Sequence, residues 1–350
     1  MAGRNVEIPD KINKIYAPSP YASTLLMSLC PEKLCGVFFP IEEYQKPFLN
    51  PCLFDLPVIG KISETESIKL ANPDVILIWG DKASPIHQKS EKALKELGIP
   101  HIYACADELV DLRDYPAIYR FLGKILDVEE RAEKLATYCE KTLSEVAELV
   151  NSVHPQNRPR VYYAEGNDGT QTEFSHSLHA HLLNLIGDVN VHRGRLEGHA
   201  GMEQLTEKQL LDYDPEVIIV WQNEAYGRII KKDWIATPLA RNDDADWIAT
   251  PTACNDDTDW IATPSARNDE KSERASWGEI SAVKNGRVYL IPREPFSYFD
   301  RPPCFMRILG LKWLLSICFP ELYKGNFEEE KTKFLKLFLS QEETITESRL

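Results

Sequence analysis

The 350-residue chain lacks the short motifs that announce the common enzymes. It has no GxSxG, HExxH, P-loop or GxGxxG, which removes the signatures of nucleophile-elbow hydrolases, zinc peptidases and dinucleotide folds. None of its eight cysteines (Cys30, Cys35, Cys52, Cys105, Cys139, Cys254, Cys304 and Cys318) forms a CxxC, and their scatter matches no zinc or iron–sulfur spacing. Most read as buried thiols, with a disulfide among Cys30, Cys35 and Cys52 left open for an exported protein. No apolar run reaches the length of a bilayer span; the most apolar stretch, 308–319, is short and carries Lys312, as a buried helix would. No charged-then-apolar leader follows Met1, which is compatible with a cytosolic protein or with an exported one whose signal is absent from this sequence. Positive charge is in deficit. Forty Lys and Arg against 54 Asp and Glu give a net charge of −14, which disfavours nucleic acid and anionic membrane surfaces as partners.

What the chain does contain is an internal echo. Residues 62–79 read ISETESIKLANPDVILIW and residues 204–221 read QLTEKQLLDYDPEVIIVW. Pro73 matches Pro215, Asp74 matches Glu216, Ile76 matches Ile218, and Trp79 matches Trp221. Each copy is a polar helical segment, a Pro-acid step, then an apolar run ending in Trp. A separation of about 140 residues is too long for a solenoid and points to two similar lobes. Continuous apolar runs such as Val75 to Trp79 are expected of parallel strands covered on both faces. Further strands are expected at 14–17, 34–39, 58–60, 101–104, 160–164 and 287–291, alternating with helices at 21–30, 84–97, 177–186 and 303–319. Residues 115–153 differ: apolar positions recur at spacings of three and four. No Gly or Pro occurs between Leu126 and Pro155, and Asp127 with Glu130 suggests a capping box. A helix of about 26 residues there spans ~39 Å, long enough to run the length of two lobes.

The expected organisation is therefore an α/β chain of two Rossmann-like lobes joined by one long helix. The lobes are 5–113 and 155–325, the connector 114–154, and 326–350 a C-terminal helix or tail. Residues 233–271 hold three near-copies of a 13-residue unit, DWIATPLARNDDA, DWIATPTACNDDT and DWIATPSARNDEK. Their Asn-Asp, Thr-Pro and Ala content buries little apolar area, so the segment reads as a surface insertion. The competing reading is a recognition segment anchored by Trp234, Trp247 and Trp260.

Several stretches resemble the helical-backbone class of periplasmic substrate-binding proteins of ABC importers, which bind ferric siderophores, haem and vitamin B12. These are IYAPSPYAS near the start, NPDVILIW and DPEVIIVW, LGKILDVEERAEKL opening the connector, and AVKNGRVYLIP, DRPP and LGLKWLLSICFPELY near the end. The resemblance covers roughly 5–325 apart from the repeat. It implies no catalysis and no covalent cofactor. It implies a cleft between lobes that takes a metal chelate, iron first and nickel or cobalt otherwise. Cobalamin and haem are the further alternatives. It also implies delivery to a permease and its ATPase, a monomer, and a periplasmic or lipid-anchored location.

Ligands of open α/β sheets sit beyond the carboxyl ends of the strands. The loops there offer Tyr21, Phe39 and Trp79 in the first lobe, and Asn167, Phe174, His176, Trp221, Arg293, Tyr298 and Arg301 in the second. Trp79 and Trp221 stand as opposing aromatic walls or as caps of their own sheets. Arg293 and Arg301 suit carboxylate or catecholate oxygens, although for Arg301 a salt bridge with an acid inside its own turn is the favoured reading. Five of the eight histidines lie between 176 and 199. His176, His199 and, behind them, His179 are candidate metal ligands, against a polar loop with no metal. By the resemblance, a glutamate of each lobe docks on permease arginines. Glu66 (or Glu64) and Glu203 (or Glu207) are the candidates. A metal-dependent α/β enzyme is the competing class, weakened by the absence of any nucleophile–base pairing.

Overall fold

A computed structural model of the chain describes residues 6–80, 85–104, 111–175, 177–194, 202–230 and 277–339. The chain divides into two compact units. The first comprises 1–144, 293–309 and 325–350, and the second 145–292 and 310–324. The boundary falls between Ser144 and Glu145, and two C-terminal segments assigned by sequence to the second lobe and the tail cluster with the first unit. The fold class is α/β, as expected.

In the first unit, strands β1 (Ile15–Tyr16), β2 (Val75–Ile78) and β3 (His101–Tyr103) form a parallel sheet in that order. Ile15 registers with Val75 and Ile76 with His101. All four residues of β2 are buried, which is why its sequence is uninterrupted VILI. Helix α1 (Pro20–Leu29) starts with Pro at its first position, and the Ser19 hydroxyl accepts from the Ala22 N–H. The strands expected at 34–39 and 58–60 are reduced to single bridges, Ile15 to Leu34 and Val37 to Val58. Helix α2 (Thr65–Ala71) ends on Asn72, a left-handed residue with φ 48°.

The second unit repeats the plan. Strands β4 (Val161–Ala164), β7 (Val217–Val220) and β8 (Val288–Leu290) pair in parallel with β7 central. Helix α7 (Glu207–Tyr213) precedes β7 and ends on left-handed Asp214, φ 37°. The Pro-acid steps of the two echoes do the same job. Asp74 accepts the backbone N–H groups of Asn13 and Lys14, both at 2.8 Å, at the start of β1. Glu216 accepts the Arg160 N–H at 2.9 Å at the start of β4. An antiparallel pair, β5 (Gln171–Thr172) with β6 (Glu203–Gln204), is added beside the sheet.

The expected single connector is two helices, α4 (Tyr115–Ile125) and α5 (Glu129–Asn151). The 23 residues of α5 span ~35 Å. Asp127 does not start α5 as a cap; it closes α4. Its φ is 53°, and Val128 N–H returns to the Gly123 carbonyl at 2.9 Å, the bond of a Schellman ending. A side chain at Gly123 would meet the Ala132 Cβ at 2.3 Å, so glycine lets α4 and α5 approach. In the first unit, the helix Phe327–Leu339 stacks Phe334 and Phe338 (4.2 Å between centroids) beneath Phe305. In the second unit, Lys312 is buried by pairing with Glu145. Cys30, Cys35 and Cys52 are free thiols, not a disulfide. Burial pushes Cys35 up to about 11 and Cys304 and Cys318 up to about 12, so these thiols stay protonated and unreactive.

Candidate functional site

The first unit gathers aromatic side chains beyond the carboxyl ends of β1 and β2. Trp79 follows the last residue of β2 and is half-buried. Its ring lies 6.0 Å from Tyr21, at the start of α1, and 6.3 Å from Tyr115, at the start of α4. Centroid separations of this size with tilted planes are the favoured geometry of aromatic pairs. Phe39 packs edge-on against Phe38 at 6.2 Å and against Phe296 at 6.1 Å. That last contact sets the segment 293–309 against Phe39, and Gln45 Nε2 reinforces it by donating to the Pro295 carbonyl at 2.8 Å. Arg293 and Arg301 are partly exposed in this unit, and Arg301 donates to the buried Asp300 at 2.9 Å. The first unit therefore carries Tyr21, Phe39, Trp79, Arg293 and Arg301 together. The sequence divided these residues between two lobes.

Tyr298 was expected on a ligand-facing surface and is instead fully enclosed. Its ring meets Phe327 at 6.4 Å and its hydroxyl donates to the Glu294 carbonyl. Burial raises its phenol well above the usual range, so it stays neutral.

In the second unit, Asn167 lies exposed in the tight turn after β4, between Gly166 and Gly169, both at positive φ. The fully buried Tyr162 hydroxyl donates to the Gly169 carbonyl at 2.9 Å and fixes this turn. Phe174 is half-buried. Trp221 follows β7 as Trp79 follows β2, yet only 4 % of it is exposed. His179 sits half-buried in a single 3-10 turn, and His181 opens the short helix after it. His176 and His199 lie outside the described residues, as do the three Trp repeats and Cys105. Among the described residues no group of three or more metal-ligating side chains occurs. Glu203, expected as a free docking carboxylate, is instead bonded to the buried His192, whose other ring nitrogen lies 3.0 Å from the Tyr213 hydroxyl. Glu66 stands exposed in the first turn of α2 beside Lys69, as a surface contact requires.

No protein-family model matches the chain. Among solved structures, an ABC transporter solute binding protein from Sulfurospirillum deleyianum is 29% identical, with a TM-score of 0.77 over 98% of this chain and 95% of that one. The chain is thus similar, over nearly its whole length, to a solute-binding protein of an ABC transporter. A periplasmic solute binding protein from Veillonella parvula shares the fold, with 20% identity and a TM-score of 0.70 over 99% of this chain and 93% of that one. The curated "Fe(3+)-citrate-binding protein YfmC" of Bacillus subtilis is 23% identical over 248 residues. That match covers 70% of this chain and 62% of the curated relative's length.

Sequence reasoning named none of Tyr115, Phe296 and Asp300, which the structure sets against Trp79, Phe39 and Arg301 respectively. Tyr115 opens α4, after the 3-10 turn Leu112–Asp114 and well past the end of β3, so strand-end position did not select it. Phe296 carried no local signal, whereas Asp300 is the acid of the within-turn salt bridge that the sequence offered for Arg301. The partner of Phe296, Phe39, is distant in sequence. Among the described residues no helix is long and apolar enough to cross a membrane.

Proposed function

We propose that this solute-binding protein captures a ferric chelate of the citrate type and hands it to an ABC permease driven by its ATPase. The observation that carries the transport role is the end-to-end likeness to the Sulfurospirillum solute binding protein. The ligand class rests on two supports. The curated relative is an iron–citrate binder by name. The first unit also contains Tyr21, Phe39 and Trp79 and two partly exposed arginines, Arg293 and Arg301, which support this reading. Flat apolar faces hold the body of a chelate, and guanidinium forks hold its acidic oxygens. The iron is cargo, and no resident cofactor is invoked.

On this reading the protein works as a monomer in the periplasm, free or lipid-anchored, with Glu66 as one docking contact for basic permease residues.

The test is a titration of the purified chain with ferric citrate, haem, cobalamin and nickel–histidine, read by tryptophan fluorescence and by mass spectrometry of the retained metal. Saturable quenching by ferric citrate is expected, with weaker or no response to the other three. Tight binding of cobalamin or nickel–histidine in its place overturns the ligand assignment.

A further inference from the structure

We infer that Asp300 is a positioning residue for ligand recognition: its bond to the Arg301 guanidinium fixes the cation that selects a carboxylate-bearing ligand. The inference deepens the proposed function and rests on it.

The backbone makes the first point. Neighbouring residues in extended chain direct their side chains to opposite sides. Asp300 and Arg301 nevertheless meet, with Arg301 Nη1 donating to Asp300 Oδ2 at 2.9 Å. Arg301 takes a left-handed φ of 50°, uncommon for a residue with a Cβ. A strained conformation of this kind persists only where its surroundings fix it, and such residues concentrate at ligand sites.

The surroundings here do fix it. Ser297 Oγ accepts the backbone N–H groups of Phe299 and Asp300 at 3.3 and 3.2 Å, folding the turn upon itself. The Cys304 thiol donates to the Ser297 carbonyl. Phe296 packs between Phe39 and Phe305, and the buried Gln45 holds the Pro295 carbonyl. Every residue from Pro295 to Asp300 is buried. The Asp300 carboxylate thus has a fixed place, and Arg301 inherits it.

Burial makes the second point. The Asp300 side chain is 1 % exposed, whereas that of Arg301 is 18 % exposed. Enclosing a carboxylate is costly, and a buried ion pair is a poor source of stability compared with apolar packing. What the pair does supply is a guanidinium of settled orientation. The guanidinium is a rigid planar fork, so a bond to one of its nitrogens orients the whole cation. Pre-ordering a flexible arginine lowers the entropy lost when an anion is bound.

The experiment uses the full chain and ferric citrate as probe, comparing wild type, Arg301→Ala, Asp300→Asn and the double variant by fluorescence titration. Arg301→Ala should weaken binding roughly ten- to a hundredfold, the range of a charge-assisted hydrogen bond. Asp300→Asn should weaken it roughly three- to tenfold, with no added loss in the Arg301→Ala background. Side-chain ¹⁵N NMR of the ligand-free protein should show an ordered Arg301 Nε–H in wild type and a mobile one in Asp300→Asn. If Asp300→Asn fails to fold, Asp300→Glu keeps the charge and displaces the guanidinium, and the same loss is expected. Equal losses from Asp300→Asn in both backgrounds would make its role purely structural and overturn the inference. So would full affinity in Arg301→Ala. A wild type that binds cobalamin but not ferric citrate overturns the functional reading itself, and this inference with it.

Discussion

The two echoed segments have nearly the same backbone and different side-chain ends. α2 and α7 are seven residues each, both close on a left-handed residue, and both lead to a buried four-residue strand followed by Trp. Beyond that point they diverge. Trp79 remains half-exposed among Tyr21 and Tyr115, whereas Trp221 is almost wholly enclosed. A repeated scaffold thus sets where a side chain begins, and the loops around it set whether that side chain can meet a ligand.

Replacing the two tryptophans gives the widest separation. Trp221→Ala should cost about 4 kcal/mol of unfolding free energy, as for a large buried side chain. Trp79→Ala should cost much less stability and weaken ferric citrate binding about tenfold, through loss of an aromatic face worth ~1 kcal/mol or more. Urea unfolding and fluorescence titration on the same preparations check both. Equal effects of the two variants on affinity would restore the picture of paired aromatic walls.

The central strands should behave alike. Ile76 and Ile218 are fully buried at matching positions, so Ile76→Ala and Ile218→Ala should each cost about 3 kcal/mol. Urea midpoints differing by more than the fitting error would show that one sheet packs more tightly than the other.

The smallest effect separates the two helix ends. Asp214 accepts from the Ser281 N–H at 2.7 Å and from its hydroxyl at 2.8 Å, and these bonds hold its carboxyl below the usual aspartate value. A lowered folded-state pKa stabilises above the unfolded value, and the contribution is lost as pH falls through the folded one. Asp214 should therefore help stability at neutral pH and cease to do so below about pH 4. Asp214→Asn should flatten the stability–pH slope in that window. Asn72, its counterpart, has no carboxyl to titrate, so Asn72→Gly should leave the slope unchanged. An unaltered slope in Asp214→Asn would place the acid sensitivity elsewhere.

Much of the fold was legible because it is locally encoded. Unbroken apolar runs announced β2 and β7, a helix was expected at 21–30 where α1 lies, and the Pro-acid steps announced strand entry. The break between α4 and α5 was misread because an aspartate serves as well at a helix start as in a left-handed helix ending. Of the candidate site, Tyr21, Phe39, Trp79, Arg293 and Arg301 were named from strand-end position alone. The shared unit of these five was not legible, nor was the enclosure of Tyr298 or the capture of Glu203 by His192.

By itself the sequence determined an α/β chain with two parallel sheets, each built around a strand ending in Trp. Periodicity, turn residues and caps act over a few positions and are written along the chain. Only the tertiary structure decided that residues 293–309 join the first unit, through contacts such as Gln45 with Pro295 across 250 positions. Burial and hydrogen bonding at that range depend on which surfaces meet, and no local pattern carries that information.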